Sequence, residues 1–259
     1  MKIESQEISL PILKEKDISL FIKRLDKVHP IISGNKWFKL KYNLIEAKKN
    51  GYKSILTFGG AYSNHIAATA FSANEKGFKS IGIIRGEEHL PLNPTLYFAR
   101  KNGMELHYVS RSDYRLKSTS NFLDNLKSKF GEFYLLPEGG TNELAVKGTE
   151  EILDSSDTQE YICCSVGTGG TITGVINASN SIQQVIGFPA IKGSTELFEG
   201  VVNRVDSKNF KFINSYNYGG YAKLTKKLIN FINKFDITHG IALDAVYTGK
   251  MMMGILDLV

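Results

Sequence analysis

The stretch Tyr161-Ile162-Cys163-Cys164-Ser165-Val166-Gly167-Thr168-Gly169-Gly170-Thr171-Ile172-Thr173-Gly174-Val175-Ile176 runs from an apolar segment through a glycine-rich turn into a second apolar segment. That order reads as strand, tight turn and helix start. Glycines let the backbone turn sharply and approach a ligand closely, leaving N–H groups and the positive end of the helix dipole facing an anion. Gly167 to Thr171 is therefore a candidate anion cradle. No Lys-Ser/Thr pair closes it, as a triphosphate loop with magnesium would require, and the glycines do not follow the dinucleotide spacing. A small phosphate monoester suits it better than ATP or NAD. Taken alone, the same residues also allow a tight turn that binds nothing.

Outward from this stretch, helix and strand patterns alternate. Trp37, Leu40, Leu44 and Ala47 recur at helical spacing and the segment stops at Asn50-Gly51. Strands are predicted near 54–58, 80–84, 105–109 and 133–136, with helices from the loop at 59–64 to 75, over 93–102, over a polar stretch near 114–129, and near 143–153. Such alternation predicts an α/β fold of open, mostly parallel twisted sheets with helices on both faces, arranged as two lobes. No repeat or low-complexity tract interrupts it.

The chain has 259 residues, 42% of them hydrophobic and 22% charged, enough for one large core or two smaller ones. Its formal charge is +6, but 32 Lys and Arg are interspersed with 26 Asp and Glu, and no nucleic-acid motif accompanies them. Solvated helix faces account for the charge, and no nucleic-acid partner is expected. Two adjacent cysteines, Cys163 and Cys164, exclude a disulfide framework. The five histidines show no zinc-site spacing, so no metal is expected. Charges through the first twenty residues and the lack of an 18-residue apolar run predict a cytoplasmic chain with no membrane partner.

In open parallel sheets, ligands sit beyond the carboxyl ends of strands. Two further loops fall there. Gly59-Gly60-Ala61-Tyr62-Ser63-Asn64-His65 brings polar side chains to a helix start, where Ser or Asn could equally be a simple cap. Ser33-Gly34-Asn35-Lys36 opens an amphipathic helix, where a lysine is ordinarily a solvated first-turn residue.

Taken together, Gly34-Asn35-Lys36, Ser63-Asn64-His65, the Gly167–Thr171 cradle and Asp244-Ala245-Val246-Tyr247-Thr248-Gly249-Lys250 resemble one family. It is the D-cysteine desulfhydrase and 1-aminocyclopropane-1-carboxylate deaminase family, pyridoxal-phosphate enzymes of the tryptophan-synthase-β-like fold type. Arg24-Leu25-Asp26, Gly86-Glu87-Glu88, Leu92-Asn93-Pro94-Thr95-Leu96 and Pro137-Glu138-Gly139-Gly140 fit the same pattern in order. The resemblance implies a large cofactor-binding domain from residues 1–42 and 147–259, a small α/β domain from 43–146, and a homodimer.

It also implies roles. Lys36 would carry pyridoxal 5'-phosphate as an imine and, once freed, move the substrate α-proton. Asn64 would hydrogen-bond the cofactor's phenolic oxygen. Ser63, Asn64 and His65 would hold the carboxylate of a small amino-acid substrate. The phosphate would lie on Gly167, Thr168, Gly169, Gly170 and Thr171, with Lys39, one turn from Lys36, as a further contact. Tyr221 and Tyr247 would stand beside the substrate, and Thr248 would face the pyridine nitrogen, where deaminases resemble a Tyr-Glu-Gly-Lys pattern. A neutral hydroxyl there stabilises ring protonation less than a carboxylate does, which favours expelling a thiolate over opening a cyclopropane.

The implied activity is α,β-elimination from D-cysteine or a similar small amino acid, yielding pyruvate, ammonia and sulfide. Deamination of 1-aminocyclopropane-1-carboxylate is the alternative. Family members continue past the Gly-Lys helix into a last strand and a His-Thr-Gly-Gly-like loop, whereas this sequence stops at Gly254-Ile255-Leu256-Asp257-Leu258-Val259. The region from Gly174 to Asp206 is also compressed. A third expectation is therefore a shortened cofactor-binding protein with little or no catalysis.

Overall fold

Pro11 sets the first helical turn of α1 (Pro11–Glu15), which joins β1 (Ser5–Ile8) to β2 (Leu20–Lys23) in an antiparallel hairpin. The sequence pattern did not disclose this hairpin. The computed structural model describes residues 2–32, 34–193, 195–206 and 209–259; Ser33 lies outside them. The chain divides into two compact units, Asp26–Gly148 and a discontinuous one of Met1–Leu25 with Thr149–Val259.

In the continuous unit, α2 (Lys36–Lys49) leads to β3 (Ser54–Gly59), α3 (Asn64–Glu75), β4 (Lys79–Arg85), α4 (Pro94–Lys101), β5 (Met104–Val109), α5 (Arg111–Tyr114), α6 (Ser120–Phe130), β6 (Tyr134–Leu136) and α7 (Glu143–Glu150), whose last two residues fall in the other unit. The strands form a parallel sheet in the order β5-β4-β3-β6, with Leu56 level with Ile81 on one side and Leu135 on the other. The apolar runs of β3 and β4 are buried on both faces, as a parallel sheet between helices requires. Ile55 packs with Leu40 and Leu44 of α2 and Ala68 of α3. Leu56, Phe58, Ile81 and Ile83 face the other way, against Tyr114 and Leu126.

Because Leu40 and Leu44 belong to that core, α2 packs within this compact unit. The polar helix expected near 114–129 is α6, which starts later, and α5 is a separate short helix ahead of it. Ser110 caps α5 through the Asp113 N–H and Thr119 caps α6 through the Phe122 N–H, so the chain turns between them.

The discontinuous unit adds β7 (Tyr161–Val166), α8 (Gly170–Ala178), β8 (Gln184–Pro189), α9 (Thr195–Val202), β9 (Phe210–Phe212), α10 (Lys226–His239) and α11 (Thr248–Leu258). Its parallel sheet runs β7-β8-β9. β7 lies at the edge, so Cys163 and Cys164 are half-buried rather than enclosed, and burial still pushes the Cys163 thiol up to about 11. Ile8, Leu13, Phe235, Ile241 and Met252 make a core under the hairpin. Among the described residues, no helix is long and apolar enough to cross a membrane and no cluster could hold a metal ion.

Candidate active site

The strand order of the continuous unit reverses between β3 and β6: β4 and β5 follow β3 to one side, and β6 returns to the other. Beyond the carboxyl ends of these two strands lie the loops that begin at Gly59 and Pro137, the position where open α/β sheets bind ligands. Gly139 and Gly140 both take left-handed conformations there. The Gly139 carbonyl accepts from Lys36 Nζ at 3.3 Å and from Lys39 Nζ at 2.6 Å, and Lys39 also donates to Thr141 Oγ1 at 2.8 Å. Lys39 is buried and doubly held, whereas Lys36, at the first position of α2, is half-buried and makes the longer contact. Below them, Asn43 and Asn142 exchange amide hydrogen bonds of 3.1 and 2.7 Å, and Tyr134 donates to Asn43 Oδ1 at 2.9 Å, tying α2 to the end of β6.

Ser63 caps α3, its Oγ accepting from the Ile66 N–H at 3.3 Å, and Asn64 is exposed beside it. His65 is placed differently from the open loop position that its sequence suggests. Its ring is 1% exposed, within 2.8 Å of Thr57 Oγ1 and packed against Gly140. Burial first, then the Lys36 and Lys39 ammonium groups, hold its pKa well below the ordinary histidine value. Neutral and enclosed, it supports the loops rather than reaching into solvent.

In the discontinuous unit, Gly169 has φ +85°, and a Cβ there would meet Val201 Cγ2 at 3.0 Å and Leu197 Cδ1 at 3.1 Å. Only glycine suits that backbone. The Gly169 carbonyl accepts from Thr173 Oγ1 at 3.0 Å and that of Gly170 from Thr149 Oγ1 at 3.1 Å, so the carbonyls are engaged on the helix side of the turn. The turn thereby leads into the N-terminus of α8, where the first N–H groups have no carbonyl within the helix. Thr168 is exposed, and Gly167 and Thr171 are half-buried. A Cβ on Gly167 would approach the Tyr247 hydroxyl at 3.3 Å, and the Tyr247 ring lies 6.3 Å from that of Tyr221, edge to face. Cradle and both tyrosines therefore cluster. Thr248 starts α11, with its Oγ1 accepting from the Asp244 N–H at 2.8 Å.

Sequence reasoning missed Thr57, Thr141 and the Asn43–Asn142 pair. Thr141 follows the Gly139-Gly140 signal directly, but the others are ordinary residues until the fold joins them. Within the discontinuous unit the glycine cradle suits a phosphate group, and within the continuous unit Lys36 supplies an amine that suits a carbonyl group; among the described residues no cluster could hold a metal ion.

No protein-family model matches the chain. A Thermotoga maritima protein provisionally named 1-aminocyclopropane-1-carboxylate deaminase is 31% identical over 269 residues, covering 95% of this chain and 86% of its own. The mitochondrial bifunctional D-cysteine desulfhydrase/1-aminocyclopropane-1-carboxylate deaminase of Arabidopsis thaliana is 27% identical, with 92% and 67% covered. A crystal structure described as that of an ACC deaminase homologue superposes with a TM-score of 0.85 at 26% identity, covering 100% of this chain and 84% of that one. Sequence and fold agree: the chain belongs to the D-cysteine desulfhydrase and 1-aminocyclopropane-1-carboxylate deaminase family, whose members are pyridoxal-phosphate-dependent enzymes acting on small amino acids.

Proposed function

We propose that this protein binds pyridoxal 5'-phosphate and eliminates the thiol from D-cysteine or a similar small amino acid, which with water gives pyruvate, ammonia and sulfide. The observation that carries the reading is the Gly167–Thr171 turn at the start of α8, where φ +85° at Gly169 favours glycine and the helix end favours an anion. When bound, the cofactor supplies an electron sink for negative charge at the substrate α-carbon.

The chain's own residues do the rest. Lys36 supplies the amine that carries the cofactor and moves the α-proton, held less tightly than Lys39 because its contact to the Gly139 carbonyl is the longer one. Lys39 fixes that carbonyl. Ser63 and the positive end of α3 bind the substrate carboxylate, and Asn64 bonds the cofactor's phenolic oxygen. His65 serves that loop from below. Tyr221 and Tyr247 line the substrate on the cradle side, and the uncharged Thr248 favours departure of a good leaving group over ring opening. A homodimer belongs to the same reading on the family resemblance, and sedimentation equilibrium tests it.

The deciding experiment is a paired assay on purified protein reconstituted with pyridoxal phosphate. An imine absorption band in the visible or near-ultraviolet and release of pyruvate and sulfide from D-cysteine are expected. Ring opening of 1-aminocyclopropane-1-carboxylate with D-cysteine untouched would overturn the substrate assignment, and absence of any imine band would overturn the cofactor assignment.

A further inference from the structure

Four residues of one short turn have positive φ: Tyr218 at +48°, Gly219 at +95°, Gly220 at +110° and Ala222 at +54°. Two of them are not glycine, so the turn holds a conformation that costs on the order of 1–3 kcal/mol at each such residue and persists only where its surroundings impose it. Tyr221 sits in this turn, beside Tyr247.

Within the turn, the Gly219 N–H donates to Asn217 Oδ1 at 3.0 Å. Helix α11 supplies a further restraint from outside. Lys250, on its first turn, is 2% exposed, and its Nζ donates to the Asn217 carbonyl at 2.9 Å and the Gly220 carbonyl at 2.7 Å. These two acceptors bracket Tyr218 and Gly219 and end one residue before Tyr221. One turn further on, Gly254 lets Tyr216 pack against the helix, where a Cβ would lie 2.7 Å from the ring. Tyr216 Oη donates to Asp257 Oδ2 at 2.8 Å. The helix is held in its turn by close packing of Gly249 on Ile232 of α10. Burial lowers the Lys250 pKa while Asp244 opposes the shift, yet two carbonyl acceptors at hydrogen-bond distance are ligands for an ammonium group.

We propose that Lys250 is a positioning residue: its enclosed ammonium pins the carbonyls of Asn217 and Gly220 and so sets the left-handed turn that presents Tyr221 to the substrate. The pinning stands on the geometry alone; the presentation to substrate rests on the proposed role of Tyr221. A hydrophobic side chain of similar length at 250 removes the ammonium donor while the stem volume is kept, and leaves the two carbonyls to the turn's own Gly220 and Lys223 N–H groups, at 3.0 and 3.2 Å.

Lys250→Met is therefore the test. Trypsin cleavage after Lys223, just beyond the turn, is expected to speed up at least tenfold while the thermal transition stays cooperative. The rate per bound cofactor on D-cysteine is expected to fall roughly tenfold or more, as misplacement of a substrate-facing group does, with the imine band at its parental wavelength. Unchanged cleavage in the folded variant overturns the proposal. Faster cleavage with an unchanged rate per bound cofactor overturns the link to Tyr221 and retains the pinning. Faster cleavage in a protein whose parent does not process D-cysteine counts against the proposed reaction and not against Lys250. If Lys250→Met does not fold, competitive acetylation of the parent protein decides: Lys250 labelled at least tenfold more slowly than Lys223 supports the proposal, and labelling at a comparable rate overturns it.

Discussion

His65 donates a hydrogen bond from its Nε2–H to Thr57 Oγ1, 2.8 Å away, because the Thr57 hydroxyl itself donates to the Leu136 carbonyl at 3.0 Å. The tautomer is thus fixed by the neighbouring strand β6, and His65 Nδ1 is left buried and bare, without a hydrogen-bond partner among the described residues. Thr57→Val would retain the shape and strand the Nε2–H group. We expect a loss of about 1–3 kcal/mol, read from the urea midpoint. An unchanged midpoint would mean that the ring turns to find another acceptor.

The same ring makes stability depend on pH. Its folded pKa lies below the unfolded value of about 6.5, so between the two the unfolded chain binds more protons and stability falls as pH drops. The contribution is complete above about pH 6.5 and decreases below it. His65→Gln keeps a donor for Thr57 without a titrating group. Urea unfolding from pH 7 to pH 5 should show a steeper loss in the parent than in this variant, by up to one proton's worth, about 1.4 kcal/mol per pH unit. Parallel slopes would refute the assignment.

Gly169→Val places a branched side chain at φ +85° against Val201 and Leu197. Strain of roughly 1–3 kcal/mol and loss of the phosphate approach should act together. Dialysis against buffer should strip pyridoxal phosphate from the folded variant at least tenfold faster than from the parent. Equal retention would place the phosphate elsewhere.

Borohydride reduction of the reconstituted protein should fix the cofactor to the peptide containing Lys36, and Lys36→Ala should lose the imine band. Lys39, enclosed and held by Gly139 and Thr141, should stay unmodified. Mass spectrometry that finds the adduct on Lys39 or Lys41 contradicts this.

Thr248→Glu replaces the acceptor of the Asp244 N–H and adds a carboxylate at the start of α11. A negative group at a helix start is itself tolerated. Measured per bound cofactor on both substrates, the variant should shift its balance from D-cysteine towards 1-aminocyclopropane-1-carboxylate. A balance that stays put would show that position 248 does not tune the ring.

Much of the fold was legible because its signals are local. Asn50 ends α2 as its C-cap and is followed by Gly51 at φ +75°, Asn93-Pro94 starts α4, and the apolar runs at 54–59 and 79–85 are central strands. The glycine cradle was legible for the same reason, since φ +85° demands glycine wherever it occurs. What stayed hidden depends on partners distant in sequence. The β1–β2 pairing has no turn signature, because a short helix intervenes. Nothing around His65 announces that Thr57 and Gly140 enclose it, and Gly249 and Lys250, read as part of a motif, serve packing and a turn thirty residues upstream.

The division of the chain orders its birth. Residues Asp26–Gly148 are contiguous and so have all their partners once Gly148 has been synthesised, while the segment that ends at Leu25 must wait for the one that starts at Thr149. If residues 26–148 stay unfolded, bringing the two segments together closes a long flexible loop; once folded, they act as a fixed spacer with most of that entropy already removed. Folding of the insert therefore favours assembly of the enclosing unit, and a lesion in β3 or β4 that unfolds the insert would weaken the cradle unit as well.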